Sequence, residues 1–235
     1  VSKAPLPPAG GVGGGPTPSS LRGSSPPAGG RGDVSDRDLV RLYWPADLRP
    51  AFDALLSLED SLLEVAASST QPALGAIRMA WWRDALRRLD DHPPPPEPRL
   101  QACARELLPR GVTGAALAAI AEGYATLFDE TPDAALIDSA GSALFSCGAI
   151  LLGASDPRLA DAGAAHALGR VRRLGLLADA PPPPELAGHR FARPLRPLTA
   201  LARLGIRDLT RAPEPEATPA RAAALLSHRL FGTVA

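Results

Sequence analysis

Aromatic residues are scarce in this 235-residue chain, at 4%. It has two cysteines, one methionine and no excess of either charge, with 25 basic side chains against 25 acidic ones. Each shortage excludes something. Without surplus cations to neutralise phosphates, the chain is not an electrostatic nucleic-acid binder. Cys103 and Cys147 stand far apart with no His or Cys beside them, so they form neither a zinc ligand set nor a disulfide framework. They read as buried or half-buried thiols, consistent with a reducing cytosol. No run reaches the roughly 18 apolar residues of a membrane span, the longest being interrupted within 143–152. No N-terminal apolar segment resembles a signal peptide. The expectation is a cytoplasmic protein without a transmembrane segment, at most peripheral to a membrane.

What is present is alanine and leucine. Hydrophobic residues make up 45% of the chain, enough for one helical domain of roughly 200 residues. Ala and Leu are good helix formers and strand formers are few, so the core is expected to be helical. Residues 1–32 are mostly Gly, Pro and Ser, and bury too little apolar surface to offset chain entropy. They read as a disordered tail; with Val in place of Met at position 1, an over-extended reading frame would account for both features, the alternative being a functional flexible tail.

From about Asp36 the apolar spacing is helical throughout. Phe52, Leu55, Leu56, Leu62 and Leu63 recur at helical intervals over 47–66. Pro72 opens a second helix running to about Asp91, and a polyproline connector at 93–96 follows. Further helices are expected over 99–108 and over 113–127, the latter capped by Thr113. The next opens with Thr131 as cap and Pro132 and Asp133 in its first turn. One starting at Asp156 and Pro157 runs to about Ala178, where four prolines stop it. Helices over 196–209 and 219–231 complete an all-α domain of seven to nine helices spanning 36–231.

On a wheel of about 100° per residue, Asp53, Ser57, Asp60 and Glu64 share one stripe of the 47–66 helix, while Glu59 falls among the leucines. Such carboxylates suit Mg²⁺, which takes one or two of them together with phosphate oxygens and water. A solvated face is the preferred reading. In I77-R-M-A-W-W-R-D-A-L86, Met79, Trp82, Leu86 and Leu89 share a core face, and Trp81 lies at the polar edge with Arg78. Asp84 is placed to pair with Arg87 or Arg88. The four histidines are scattered; His166, on a small-residue helix, reads as a satisfied, half-buried side chain.

Pro72, Gly75, Ile77, Arg78, Met79, Trp81 and Trp82, following the acidic helix, resemble the squalene/phytoene synthase family. The resemblance is to its short divergent branch, which includes a mitochondrial complex I assembly factor. The small-residue helix with Gly141, Phe145 and Gly153 and the run 163–169 are similar in a more general way. The resemblance implies a single-domain bundle of the isoprenoid synthase type. It also implies two Asp-x-x-x-Asp motifs that bind Mg²⁺ and draw diphosphate from prenyl substrates. Asp60 and Glu64 form a variant of the first motif. The second fails: Asp161 and Asp179 lie on the order of 27 Å apart along a helix. Asp129 and Asp133 bracket a helix start and are rejected as a metal site. Arg170, Arg172 and Arg173 stand where the second acidic motif would be. They suit a diphosphate or an acidic partner, although a solvated face is again preferred.

The expectation from the resemblance is therefore a binding or assembly factor for a membrane respiratory-complex subunit, without synthase chemistry. The alternative is an active Mg²⁺-dependent prenyltransferase acting on prenyl diphosphates, and a third is a plain helical scaffold. The candidate metal residues are Asp60 and Glu64; Arg78, Trp81, Arg170 and Arg173 are candidates for a diphosphate site or cavity rim.

Overall fold

The computed structural model describes residues 34–177, 179 and 181–234; the Gly/Pro/Ser-rich segment expected to be disordered lies outside them. Nine α-helices and no strand occur among the described residues. Helix α1 (Asp36–Arg41) is short and closed by a capping box in which Ser35 and Asp38 satisfy each other's backbone N–H. Helix α2 (Arg49–Ser68) carries proline in its first turn, and Pro72 likewise starts α3 (Pro72–Arg88). Proline is tolerated there because the first N–H groups of a helix have no partner within it. Glu97 caps α4 (Pro98–Glu106), and Thr113 caps α5 (Gly114–Tyr124) as expected.

Several boundaries differ from the sequence reading, two of them for a visible reason. Helix α6 (Ala134–Leu152) is capped by Asp133, whose Oδ1 accepts from the Ala135 N–H. Thr131 and Pro132 lie before it, because the Thr126 hydroxyl accepts the Asp133 N–H and turns the chain there. Helix α7 (Leu159–Arg173) stops short of Ala178 because Gly175 adopts φ +70, a left-handed conformation that ends a helix. Helices α8 (Arg196–Thr210) and α9 (Pro219–Phe231) follow, the latter capped by Thr218 and ended by Gly232 at φ +77.

The most extensive packing runs α5 against α6, α6 against α7, and α7 against α8. Missing side chains permit it. A Cβ on Gly141 would lie 2.1 Å from the Gly163 carbonyl oxygen, so α6 and α7 touch backbone to backbone. On its other side α7 meets α8 in the same way, a Cβ on Gly205 falling 2.2 Å from the Ala165 oxygen. By length and mean hydropathy α6 is also the one described helix that could cross a bilayer, although Asp138, Ser139, Ser142 and Ser146 interrupt its apolar run. Here it is a central helix, half of its apolar stretch buried against α5 and α7.

Helix α3 follows the wheel. Met79, Trp82, Leu86 and Leu89 are buried, and Trp81 is 48% exposed, edge-on to Trp82 with ring centroids 5.4 Å apart. Asp84 pairs with its neighbour Arg83, not with Arg87 or Arg88, because Arg87 reaches across to Glu122 on α5. Cys103 and Cys147 are both buried free thiols, pushed up to about 12 by burial.

Candidate functional site

The feature of α2 that matters most is the residue out of place on its wheel. Glu59 lies among the leucines and is 1% exposed. A lone ionised carboxylate in such surroundings would cost several kcal/mol, so it must be paired and hydrogen-bonded. Two helices supply the partners. The Tyr124 hydroxyl at the end of α5 donates to Glu59 Oε1 at 2.8 Å, and His166 Nε2 on α7 approaches both carboxylate oxygens at 3.0 and 3.1 Å. Burial alone would raise the Glu59 carboxyl. His166, Arg170 and Tyr124 outweigh it and bring the group down to about 2. Burial, with Glu59 beside it, drives the Tyr124 hydroxyl well above its ordinary value, so it stays a donor. The glycine contact between α7 and α8 seats His166: a Cβ on Gly205 would stand 2.8 Å from the His166 Cα.

One residue further along, Asp60 joins three helices. Arg37 of α1 donates to its Oδ2 and Arg170 of α7 to its Oδ1, both at 2.6 Å. Arg37 also reaches the Asp53 carbonyl and the Ser57 hydroxyl, and Arg41 Nε donates to the Asp53 carboxylate at 2.8 Å. Asp53, Ser57 and Asp60 are thus half-buried beside α1, and Glu64 is the member of the stripe that faces solvent most fully. That side chain is 72% exposed, its nearest cation being Arg99 at 4.0 Å.

A second network closes the far side. Arg221 of α9 is 1% exposed, donates to Asp36 Oδ2 at 2.7 Å and forks onto the Asp208 carboxylate. Asp36 in turn accepts the N–H of Ala217, a non-glycine residue held at φ +52. Between the two networks lies a cavity of about 260 Å³, lined by α1, α2, α7, α8, α9 and the 211–218 loop. Its charged lining is Arg37, Arg170, Arg173 and Arg221 with Asp36, Glu59, Asp60, Asp208 and Glu216; His166 and the apolar Leu56, Leu201 and Leu204 complete it.

The structure therefore brings Asp60, Arg170 and Arg173 together on one cavity, and leaves out Glu64, Arg78 and Trp81. Arg78 and Trp81 are exposed on α3. The solvated-face reading of 170–173 is corrected. Arg170 and Arg173 turn inward, and Arg172 caps the Leu209 carbonyl. Sequence reasoning missed Glu59, Tyr124, Asp36, Asp208 and Arg221. A signal existed for Glu59, since a carboxylate among leucines must find partners; for the others it did not.

Fold and site together define an all-α bundle enclosing a charge-lined cavity. No family model matches the chain, and neither a curated protein nor a solved structure matches it. Among the described residues no group of three or more His, Cys, Asp or Glu side chains is placed to hold a metal ion. The assignment to the squalene/phytoene synthase family, and with it prenyltransferase chemistry and a complex I assembly role, is accordingly corrected. The pattern at 72–82 has a packing explanation. Pro72 starts α3, a Cβ on Gly75 would collide with the Phe128 ring, and Met79 and Trp82 fill the core. Asp60 accepts from two guanidinium groups, those of Arg37 and Arg170.

Proposed function

We propose that the chain is a helical binding protein, and that the cavity between α2, α7 and α8 takes a small ligand of no net charge bearing both an acidic and a basic group. The observation that carries this reading is a lining with charges of both signs, four arginines against five carboxylates, with His166 among them. In a partly desolvated site, a singly charged ligand brings in a net charge that must be stripped of water, at a cost of several kcal/mol. A zwitterion brings none and finds a partner of opposite sign for each end. Arg173 is the adaptable group, standing 3.6 Å from Asp208 and 3.7 Å from Glu216, both beyond hydrogen-bond length. Arg170 has a buried Nε with no acceptor. These donors suit the acidic end of a ligand and Glu216 the basic end, with Leu56, Leu201 and Leu204 against a short apolar body. The volume falls just below the roughly 300 Å³ at which pockets for drug-sized ligands begin, which limits the ligand to a small one. A bundle of the isoprenoid synthase type is not part of this reading.

Calorimetric titration with leucine, 4-methylpentanoate and 3-methylbutylamine separates the charge classes at nearly constant shape. Leucine is expected to bind, with the two singly charged analogues weaker by about tenfold or more, and Arg173→Ala and Glu216→Gln are each expected to weaken leucine. Tighter binding of either analogue refutes the zwitterion reading. A second reading, a closed structural charge cluster, is favoured by Asp60, whose two oxygens already accept from arginines. It predicts that none of the three compounds binds.

A further inference from the structure

A second group of arginines lies outside the cavity and shares no residue with it. Arg193 opens the 3-10 turn before α8, Arg196 begins α8, and Arg229 is in the last turn of α9. With Tyr43, Pro197 and Leu230 they surround a shallow pocket whose lining contains no acidic side chain. Among the described residues, none of the three has a carboxylate within 4.0 Å.

Arg196 holds the pocket together. Its Nε donates to the Phe191 carbonyl at 3.1 Å, and its Nη1 donates to the Arg229 and Leu230 carbonyls at 3.0 and 2.9 Å. Arg229 is ordered differently, its guanidinium lying over the Tyr43 ring at 4.5 Å from the centroid. That stacking pre-orients a planar fork and leaves its N–H groups to an external acceptor. The surrounding field is positive. His228, beneath this surface, is held below its ordinary value by burial and by the charges of Arg196 and Arg203, against the opposing pull of its backbone partners. Beside the pocket, Leu226, Leu230 and Phe231 on α9 are each more than half exposed, as is Leu42 next to Tyr43.

We infer that Arg193, Arg196, Arg229 and Tyr43 form a binding site for a phosphate monoester. Arginine forks match phosphate oxygens in pairs, and charge-assisted bonds of this kind are the strongest a surface offers. The same chemistry is presented by the headgroup of phosphatidic acid and by a free organic phosphate. The exposed apolar rim favours the lipid, since aliphatic and aromatic side chains beside cations are what an interfacial surface requires.

Sedimentation with phosphatidylcholine vesicles, with and without phosphatidic acid, tests the lipid, and calorimetry with glycerol 1-phosphate tests the free ester. Arg193→Gln with Arg229→Gln is expected to weaken whichever binding occurs by about tenfold or more. Thermal unfolding should fall only slightly, because neither guanidinium donates a hydrogen bond within the described residues and only the stacking of Arg229 on Tyr43 is lost. Leu230→Ser with Phe231→Ser separates the sources: loss of vesicle binding with glycerol 1-phosphate binding retained assigns the lipid, and binding of the ester alone assigns the free phosphate. Failure of both ligands to bind, or binding indifferent to the two arginine substitutions, overturns the inference. Because the cavity uses none of these residues, either result leaves the zwitterion reading untouched.

Discussion

The Glu59 carboxylate on α2 and the His166 ring on α7 meet at 3.0 Å across 107 positions of sequence, both almost wholly out of water. This pair ties the two helices that form the cavity floor, and its energetics are readable as pH dependence. The Glu59 carboxyl falls from an ordinary 4.5 to about 2 on folding. A depressed carboxyl contributes stability that is complete above about pH 4.5 and disappears as pH falls toward 2. Removing one member of a buried pair costs about 3–5 kcal/mol. Glu59→Gln is therefore expected to destabilise by about that much at pH 7 in urea unfolding, with the difference from wild type shrinking between pH 4.5 and 2. A difference independent of pH would contradict the assignment.

The glycine contacts allow no added atoms. Gly141→Ala places a methyl within 2.1 Å of backbone, which cannot swing aside as a side chain can. Overpacking of this kind costs about 1–3 kcal/mol or more. Gly205→Ala meets the Ala165 carbonyl equally closely and also pushes on His166. Both should lower the unfolding midpoint, and Gly205→Ala should in addition alter leucine binding. Unchanged melting of either variant would mean that α7 has freedom which the backbone contacts deny it.

Arg221 and Asp36 are not equivalent partners. Burial leaves the Asp36 carboxyl above its ordinary range despite the Ala217 N–H and the Arg221 guanidinium beside it. A neutral isostere there costs little, whereas Arg221→Met strands both Asp36 and Asp208. Arg221→Met is expected to lose about 3–5 kcal/mol, and Asp36→Asn much less. Limited proteolysis gives a second readout: Arg221→Met should open cleavage between α1 and α2, because α1 loses its buried anchor.

Cys103 and Cys147 are buried thiols held near 12, so neither supplies thiolate at neutral pH. A thiol reagent is expected to modify neither in the native protein and both in denaturant. Fast native labelling of one would show that the bundle opens locally at α4 or α6.

Most of the helices were legible in the chain because their signals are local. Pro72, Thr113 and Thr218 each act within one turn of where they stand, and the Trp82 face of α3 follows from spacing alone. The candidate site was legible only in fragments. Asp60, Arg170 and Arg173 were visible as charges, but the sequence did not say whether they met water or one another. The family resemblance that gave them a role found no support in the comparisons. Local order in this protein was determined by side chains acting on their own backbone within a few residues. Which charges were paired was decided only when Gly141, Gly163 and Gly205 let three helices close to backbone contact, bringing His166 to Glu59 and Arg170 to Asp60. No local signal encodes such distances, because they depend on the absence of atoms at positions far from the charges they align.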